Sequence, residues 1–230
     1  MENITRLTSP PDALGALYFL PGQYLFKRIE SGKESAKALS SEQIARAFRE
    51  FQTDTGWMTR KVLRYREEPE GNYILSYEPA GIRTIFVETN DEVAEITCPL
   101  PTLILFGHND EFYLWAAQGK KVSPNTKLAL APLPNIGDNL SGKICFGSNE
   151  VPEAKIENLD LIWNLIFNTP FNGDHSANKC LSEPKDVRKL LLKLAEKKTR
   201  RFPASELVET NATIEKLWLH VVENKHFSNF

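Results

Sequence analysis

Between residues 61 and 116 the chain runs through six short segments rich in β-branched and aromatic residues, with only a few residues between each and the next. They are Lys61–Arg66, Tyr73–Tyr77, Arg83–Glu88, Glu92–Cys98, Thr102–Phe106 and Glu111–Ala116. Such composition favours strands, and the intervening EEPEGN, EPAG, ETND, CPLP and GHND supply turn chemistry. Parallel neighbours need crossovers of a dozen residues or more, so linkers this short predict an antiparallel meander. This is the feature that most restricts the fold.

The remaining segments complete an α+β pattern, strands first and helices later. Residues 1–60 read as a lead-in that can belong to the same domain. Ala16–Leu20 and Gln23–Ile29 are strand-like and separated by Pro21-Gly22, a turn signal. A helix is expected near Ser41–Phe51. Ser40 stands three before Gln43, the spacing of a capping box, and Ile44, Phe48 and Phe51 recur at helical spacing. Residues 61–230 read as the main domain, with three amphipathic helices predicted in the last third of the chain. Asn158–Phe167 carries Leu159, Ile162, Trp163, Ile166 and Phe167 on one face. Pro184–Lys198 carries Val187, Leu190, Leu191 and Leu194, and Thr213–Val222 carries Ile214, Leu217, Trp218 and Val221.

Composition excludes several functions. With 28 basic and 30 acidic residues the net charge is -2, which offers neither nucleic acid nor an acidic membrane an electrostatic footprint. Three cysteines (Cys98, Cys145, Cys180) are odd in number and widely spaced, so a disulfide framework is not expected and a reducing cytoplasm is. No apolar run reaches membrane-spanning length, and the N-terminal residues do not read as a signal peptide. The phosphate-binding fingerprints GxGxxG and GxxxxGK[ST] are absent, as are CxxC, HExxH and GxSxG; no cofactor or metal is expected. The KKTRR cluster at Lys197–Arg201 has the charge to touch phosphate but reads first as a solvated helix end. The four tryptophans read as core or half-buried anchors.

The stretch from Lys121 to Gly147 has little periodicity and much Pro, Asn and Gly. Long irregular segments tend to be functional or disordered, and Leu128, Leu130, Leu133, Ile136, Ile144 and Phe146 favour an ordered loop packed on the domain. Within it lie Pro134-Asn135-Ile136, a polar Gly/Asn loop, and then Gly142-Lys143-Ile144-Cys145. This resembles the active-site signature of ubiquitin-conjugating enzymes, in which His-Pro-Asn precedes a short loop and a Gly-x-hydrophobic-Cys. Over roughly two-thirds of the chain, from about Leu100, the sequence is similar to the PRTRC system protein B family, a prokaryotic relative of that fold. PTLILFGHNDEFYLWAAQ, APLPN…GKICFGSN and Arg200-Arg201-Phe202-Pro203 carry the likeness. Leu133 replaces the family histidine, and Asn135 stands ten residues before Cys145.

The resemblance implies a ubiquitin-conjugating-like α+β domain in which Cys145 accepts a ubiquitin-like modifier as a thioester and passes it to an amine. It implies as partners a ubiquitin-like protein, a ThiF-type activating enzyme and a JAB-type peptidase. A thiolate suits this chemistry because it both attacks and leaves well. Gly142 and Gly147 leave the backbone around it uncrowded, and Lys143 would modestly favour thiolate. Aminolysis passes through an oxyanion that a side-chain amide would stabilise; Asn135 is the candidate, with Asn139 and Asn149 behind it. Asparagines in such a loop also cap turns, and Cys145 between Ile144 and Phe146 also reads as an inert buried thiol. Cys98 and Cys180 read as structural. Two other functions stay open: a catalytically silent scaffold of the same fold that binds the modifier or its activating enzyme, and a plasmid-associated accessory protein.

Overall fold

The computed structural model describes residues 15–30, 33–49, 61–68, 71–89, 92–119, 121–137 and 141–224. The chain divides into two compact units, Met1–Trp57 and Met58–Phe230.

In the first unit, β1 (Gly15–Leu20), β2 (Gln23–Glu30) and β3 (Lys33–Leu39) form an antiparallel sheet in that order. Pro21 and Gly22 make the predicted turn between Leu20 and Gln23, and Gly22 adopts φ +77°, which a residue without Cβ takes at no steric cost. β3, KESAKAL, has no apolar alternation and escapes sequence reading; it pairs with β2 from Tyr24↔Leu39 to Glu30↔Lys33. Helix α1 (Ser41–Arg49) begins on the expected capping box. The Gln43 N–H donates to Ser40 Oγ at 3.2 Å and the Ser40 N–H to Gln43 Oε1 at 3.0 Å, so each side chain satisfies a main-chain donor of the other. Phe51 and Trp57 lie outside the described residues.

The second unit is α+β with antiparallel sheets. Its strands are β4 (Val62–Glu68), β5 (Gly71–Glu78), β6 (Gly81–Thr89), β7 (Glu92–Leu100), β8 (Thr102–His108), β9 (Glu111–Ala117), β10 (Lys127–Leu130) and β11 (Glu209–Thr213). Six of them pair in the order β11-β10-β9-β8-β5-β4, while β6 and β7 pair only with each other. This corrects the simple meander. β5 pairs directly with β8, from Tyr73↔His108 to Glu78↔Leu103, and β6–β7 leaves the sheet as a ribbon. Pro79, Pro99 and Pro101 stand at the feet of that ribbon. A proline has no N–H to give a ladder, so these are natural places for the chain to quit one.

The central strands are buried on both faces, which is why β8 reads as an unbroken apolar run. Ile74, Leu103, Leu105, Phe112 and Leu114 face one core, filled by α2 (Leu159–Asn168) through Leu159, Ile162, Trp163 and Ile166, and by α3 (Val187–Glu196) through Val187, Leu190, Leu191 and Leu194. Tyr73, Leu75, Ile104, Phe106 and Trp115 face the other, filled by α4 (Ile214–Asn224) through Ile214, Leu217, Trp218 and Val221. The three predicted stripes are thus the packing faces, each large side chain contributing about 1.5–3 kcal/mol by leaving water. α3 starts three residues later than its pattern: Asp186 caps it, accepting from the Arg188 N–H at 3.0 Å. Trp163 donates its indole N–H to the buried Ser76 hydroxyl at 3.2 Å, tying α2 to β5.

No described helix is long and apolar enough to cross a membrane.

Candidate functional site

The exposed thiol of Cys145 sits at the edge of the main sheet. β10 covers β9 only along Trp115–Ala117. The rest of that edge is taken by the cysteine segment: Leu114 N–H donates to the Gly142 carbonyl and Ile144 N–H to the Phe112 carbonyl, both at 2.8 Å, with Tyr113 opposite Lys143. A second layer follows, where Ile136 faces Ile144, Gly137 N–H donates to Lys143 and Cys145 N–H donates to the Asn135 carbonyl at 2.8 Å. The stretch expected to be irregular therefore contains β10 and this small ladder.

Extended pairing explains why the thiol points outward. Side chains alternate along such a segment. Gly142, Ile144 and Phe146 are buried, while Lys143, Cys145 and Gly147 are exposed. Gly142 is required by its surroundings: it holds φ +60°, and a Cβ there would lie 2.8 Å from the Trp115 ring. Leu128, Leu133, Ile136, Ile144 and Phe146 are buried as an ordered, packed loop would have them; Leu130 is half-buried. Leu133, in the place of the family histidine, is wholly inside the core.

Asn135 is held on three sides. Its N–H donates to the Asp174 carbonyl at 2.8 Å, its Nδ2 to the Pro170 carbonyl at 3.1 Å, and its own carbonyl receives Cys145. Its φ is +59°, a left-handed conformation that asparagine tolerates better than most residues. The residue is 7% exposed, and its Oδ1 is buried without a hydrogen-bond partner. The structure thus joins Asn135 to Cys145 through the main chain, with the amide facing Pro170. Phe171, between these contacts, bridges to Val87 of β6.

The other sequence candidates fall out differently. Asn149 closes its own turn, both its N–H and its Nδ2 donating to the Phe146 carbonyl. Asn139 lies outside the described residues. Lys143 does not stand free beside the thiol, because its ammonium pairs with the Glu111 carboxylate of β9. That hydrogen bond holds the Glu111 carboxyl below its usual range against the opposing effect of burial, and the Tyr113 hydroxyl, donating at 2.9 Å, adds to it. Cys98 is buried in β7, and burial pushes its thiol up to about 12. Burial also raises Cys180, whose Sγ–H points to the Glu183 carbonyl.

Sequence reading missed Lys179, which is 1% exposed and donates to the Gly137 carbonyl at 2.9 Å, bracing the far end of the ladder. It also missed Glu111 and the carbonyls of Pro170 and Asp174, which only the fold brings to the site. Among the described residues no group of three or more His, Cys, Asp or Glu stands together as a metal would need.

The architecture is an α+β domain with one exposed thiol laddered to the edge of an antiparallel sheet. The chain belongs to prokaryotic E2 family D, whose family model matches residues 36–210, a span that includes both Asn135 and Cys145. E2 denotes the ubiquitin-conjugating class, so the likeness to conjugating enzymes holds at that level. No curated protein and no solved structure matches the chain.

Proposed function

We propose that the second unit is a ubiquitin-conjugating-like carrier and that Cys145 is its acceptor. The Cys145 thiolate attacks the thioester carbonyl of a ubiquitin-like modifier on an activating enzyme, whose own thiolate leaves. An acceptor amine then attacks the new thioester, an amide forms, the Cys145 thiolate leaves and the amine proton goes to solvent. The observation that carries this reading is the exposure of Cys145 on a main chain fixed from both sides, in a family of conjugating type. Asn135 is proposed to fix the cysteine loop through its carbonyl. Its amide has a second N–H besides the one given to Pro170, and that hydrogen would meet the oxyanion during aminolysis. At the finer level we propose a PRTRC system protein B, acting in the cytoplasm with a ThiF-type activating enzyme, a ubiquitin-like protein and a JAB-type peptidase.

The inward engagement of the Asn135 amide by Pro170 favours a second reading, a scaffold that binds the modifier or its activating enzyme without a covalent step. Incubation with the activating enzyme, ATP and the modifier separates the two. A thiol-sensitive adduct on the wild-type chain, absent in Cys145→Ala, is the expected result. Binding without any adduct would leave only the scaffold.

A further inference from the structure

A cleft of about 440 Å³ opens where the β6–β7 ribbon parts from the six-stranded sheet. Its walls come from the feet of the ribbon, the end of β9 and the segment that follows α3. Leu100, Pro101, Ala117, Phe202 and Leu207 give it apolar surface, and Arg200 and Arg201 give it charge. Among the described residues no acidic side chain lines it. The nearby acids are engaged: Glu78 pairs with Lys61 and Arg83, Glu206 accepts the Ser182 N–H, and Glu209 meets Gln118 at the rim.

The two arginines differ from the rest. Arg64, Arg66, Arg83 and Arg188 pair with Glu215, Glu68, Glu78 and Asp186, and Arg28 and Arg46 are also engaged. Among the described residues, Arg200 and Arg201 alone have a described side chain of this type with neither a hydrogen bond nor an ion pair. The main-chain N–H groups of Arg200, Arg201 and Phe202 donate to no described carbonyl either. Arg200 and Arg201 are consecutive and both line the cleft, so an oxyanion bound there would have two guanidinium donor forks to draw on, which match it in shape. The apolar walls beside them would take a hydrocarbon or aromatic body.

We propose that this cleft binds a small organic anion, a carboxylate or a phosphate carried on an apolar body of about amino-acid size. The site is separate from the cysteine ladder: Ala117 at one end of β9 lines the cleft, whereas Tyr113 and Leu114 toward the other end meet the cysteine segment. It does not depend on any chemistry at Cys145.

The test is an amide-resolved NMR titration of the full chain with three probes: N-acetylphenylalanine, phenyl phosphate and the neutral N-acetylphenylalaninamide. The expected result is saturable shifts at Leu100, Gly119 and Arg201 with one or both anions, and binding of the neutral amide at least roughly tenfold weaker. The tighter anion tells whether carboxylate or phosphate is the better fit. The double variant R200Q/R201Q, with its other signals undisturbed, should lose at least roughly tenfold in anion affinity. Equal binding of the neutral probe, undiminished binding by the variant, or no shift at about 10 mM of either anion would each overturn the proposal.

Discussion

The main chain of Cys145 is tied to the main chain of Asn135, the cysteine N–H donating to the asparagine carbonyl at 2.8 Å, while the thiol is exposed and the asparagine side chain buried. One contact therefore couples an open group to a packed one. Replacing Asn135 separates its two contributions. Asn135→Gly keeps the left-handed backbone and removes the amide, while Asn135→Ala also strains φ. Thermal denaturation should rank Ala below Gly by on the order of 1 kcal/mol. Equal stabilities would mean that the left-handed backbone at position 135 carries no strain.

Thiol chemistry should single out one cysteine of the three. Cys145 is exposed, whereas Cys98 is buried with its thiol pushed up to about 12, and burial also raises Cys180. At pH 8 the Cys98 thiol is thiolate in only about one molecule in ten thousand. Alkylation followed by mass spectrometry should modify Cys145 first in the native chain, and Cys145→Ser should abolish the fast phase. Comparable rates at Cys98 would contradict the burial described.

Gly142→Ala should cost on the order of 2–4 kcal/mol, from a non-glycine residue at positive φ and a methyl group driven against Trp115. Urea denaturation measures it. Gly147 also has positive φ, but nothing lies within 4 Å of the place an added methyl would occupy, so Gly147→Ala should cost only the smaller conformational part.

Ser76→Ala should leave the indole N–H of Trp163 buried without an acceptor, a loss of about 1–3 kcal/mol. Adding Trp163→Phe removes the orphaned donor, so the double variant should lose less than the sum of the singles. Strict additivity in chemical denaturation would show that the hydrogen bond contributes nothing.

Asp186 links pH to stability. The hydrogen bond from Arg188 lowers its carboxyl from the ordinary value, in opposition to burial, and Arg188 in turn donates to the Glu88 carbonyl at 2.9 Å. A lowered folded-state pKa means that the unfolded chain takes up the proton first. The stabilisation is full above about pH 4, the ordinary carboxylate value, and is lost as pH falls through the lower folded value. The stability gap between wild type and Asp186→Asn should therefore be constant near neutrality and shrink below about pH 4. A gap that widened on acidification would reverse the assigned sign.

Local signals are legible in the residues, and distant pairings are not. The Ser40–Gln43 cap and the stripes of α2, α3 and α4 depend on neighbours within four positions, and each appears where its pattern lies. The pattern alone begins α3 too early, because Pro184 suits a first turn, yet the Asp186 side chain makes the better cap. β3 and β11 carry mostly polar or small residues and β10 is only four residues long, so their extended form is set by the strands beside them. Cys145 is recognisable as a candidate from residues, but its outward direction follows from the register against β9. The Glu111–Lys143 pair and the Pro170 contact to Asn135 join positions more than thirty apart, with no local mark in the sequence.

The detached β6–β7 ribbon bears on how the main sheet assembles. β5 and β8 must meet across everything that separates Glu78 from Leu103. The ribbon closes locally, from Thr89↔Glu92 outward, until Gly81 and Leu100 are opposite each other. Once zipped, it brings the two central strands almost into register and reduces the entropic barrier to joining them by on the order of 1–2 kcal/mol. An excursion from the sheet thus acts as the clasp that hastens its closure.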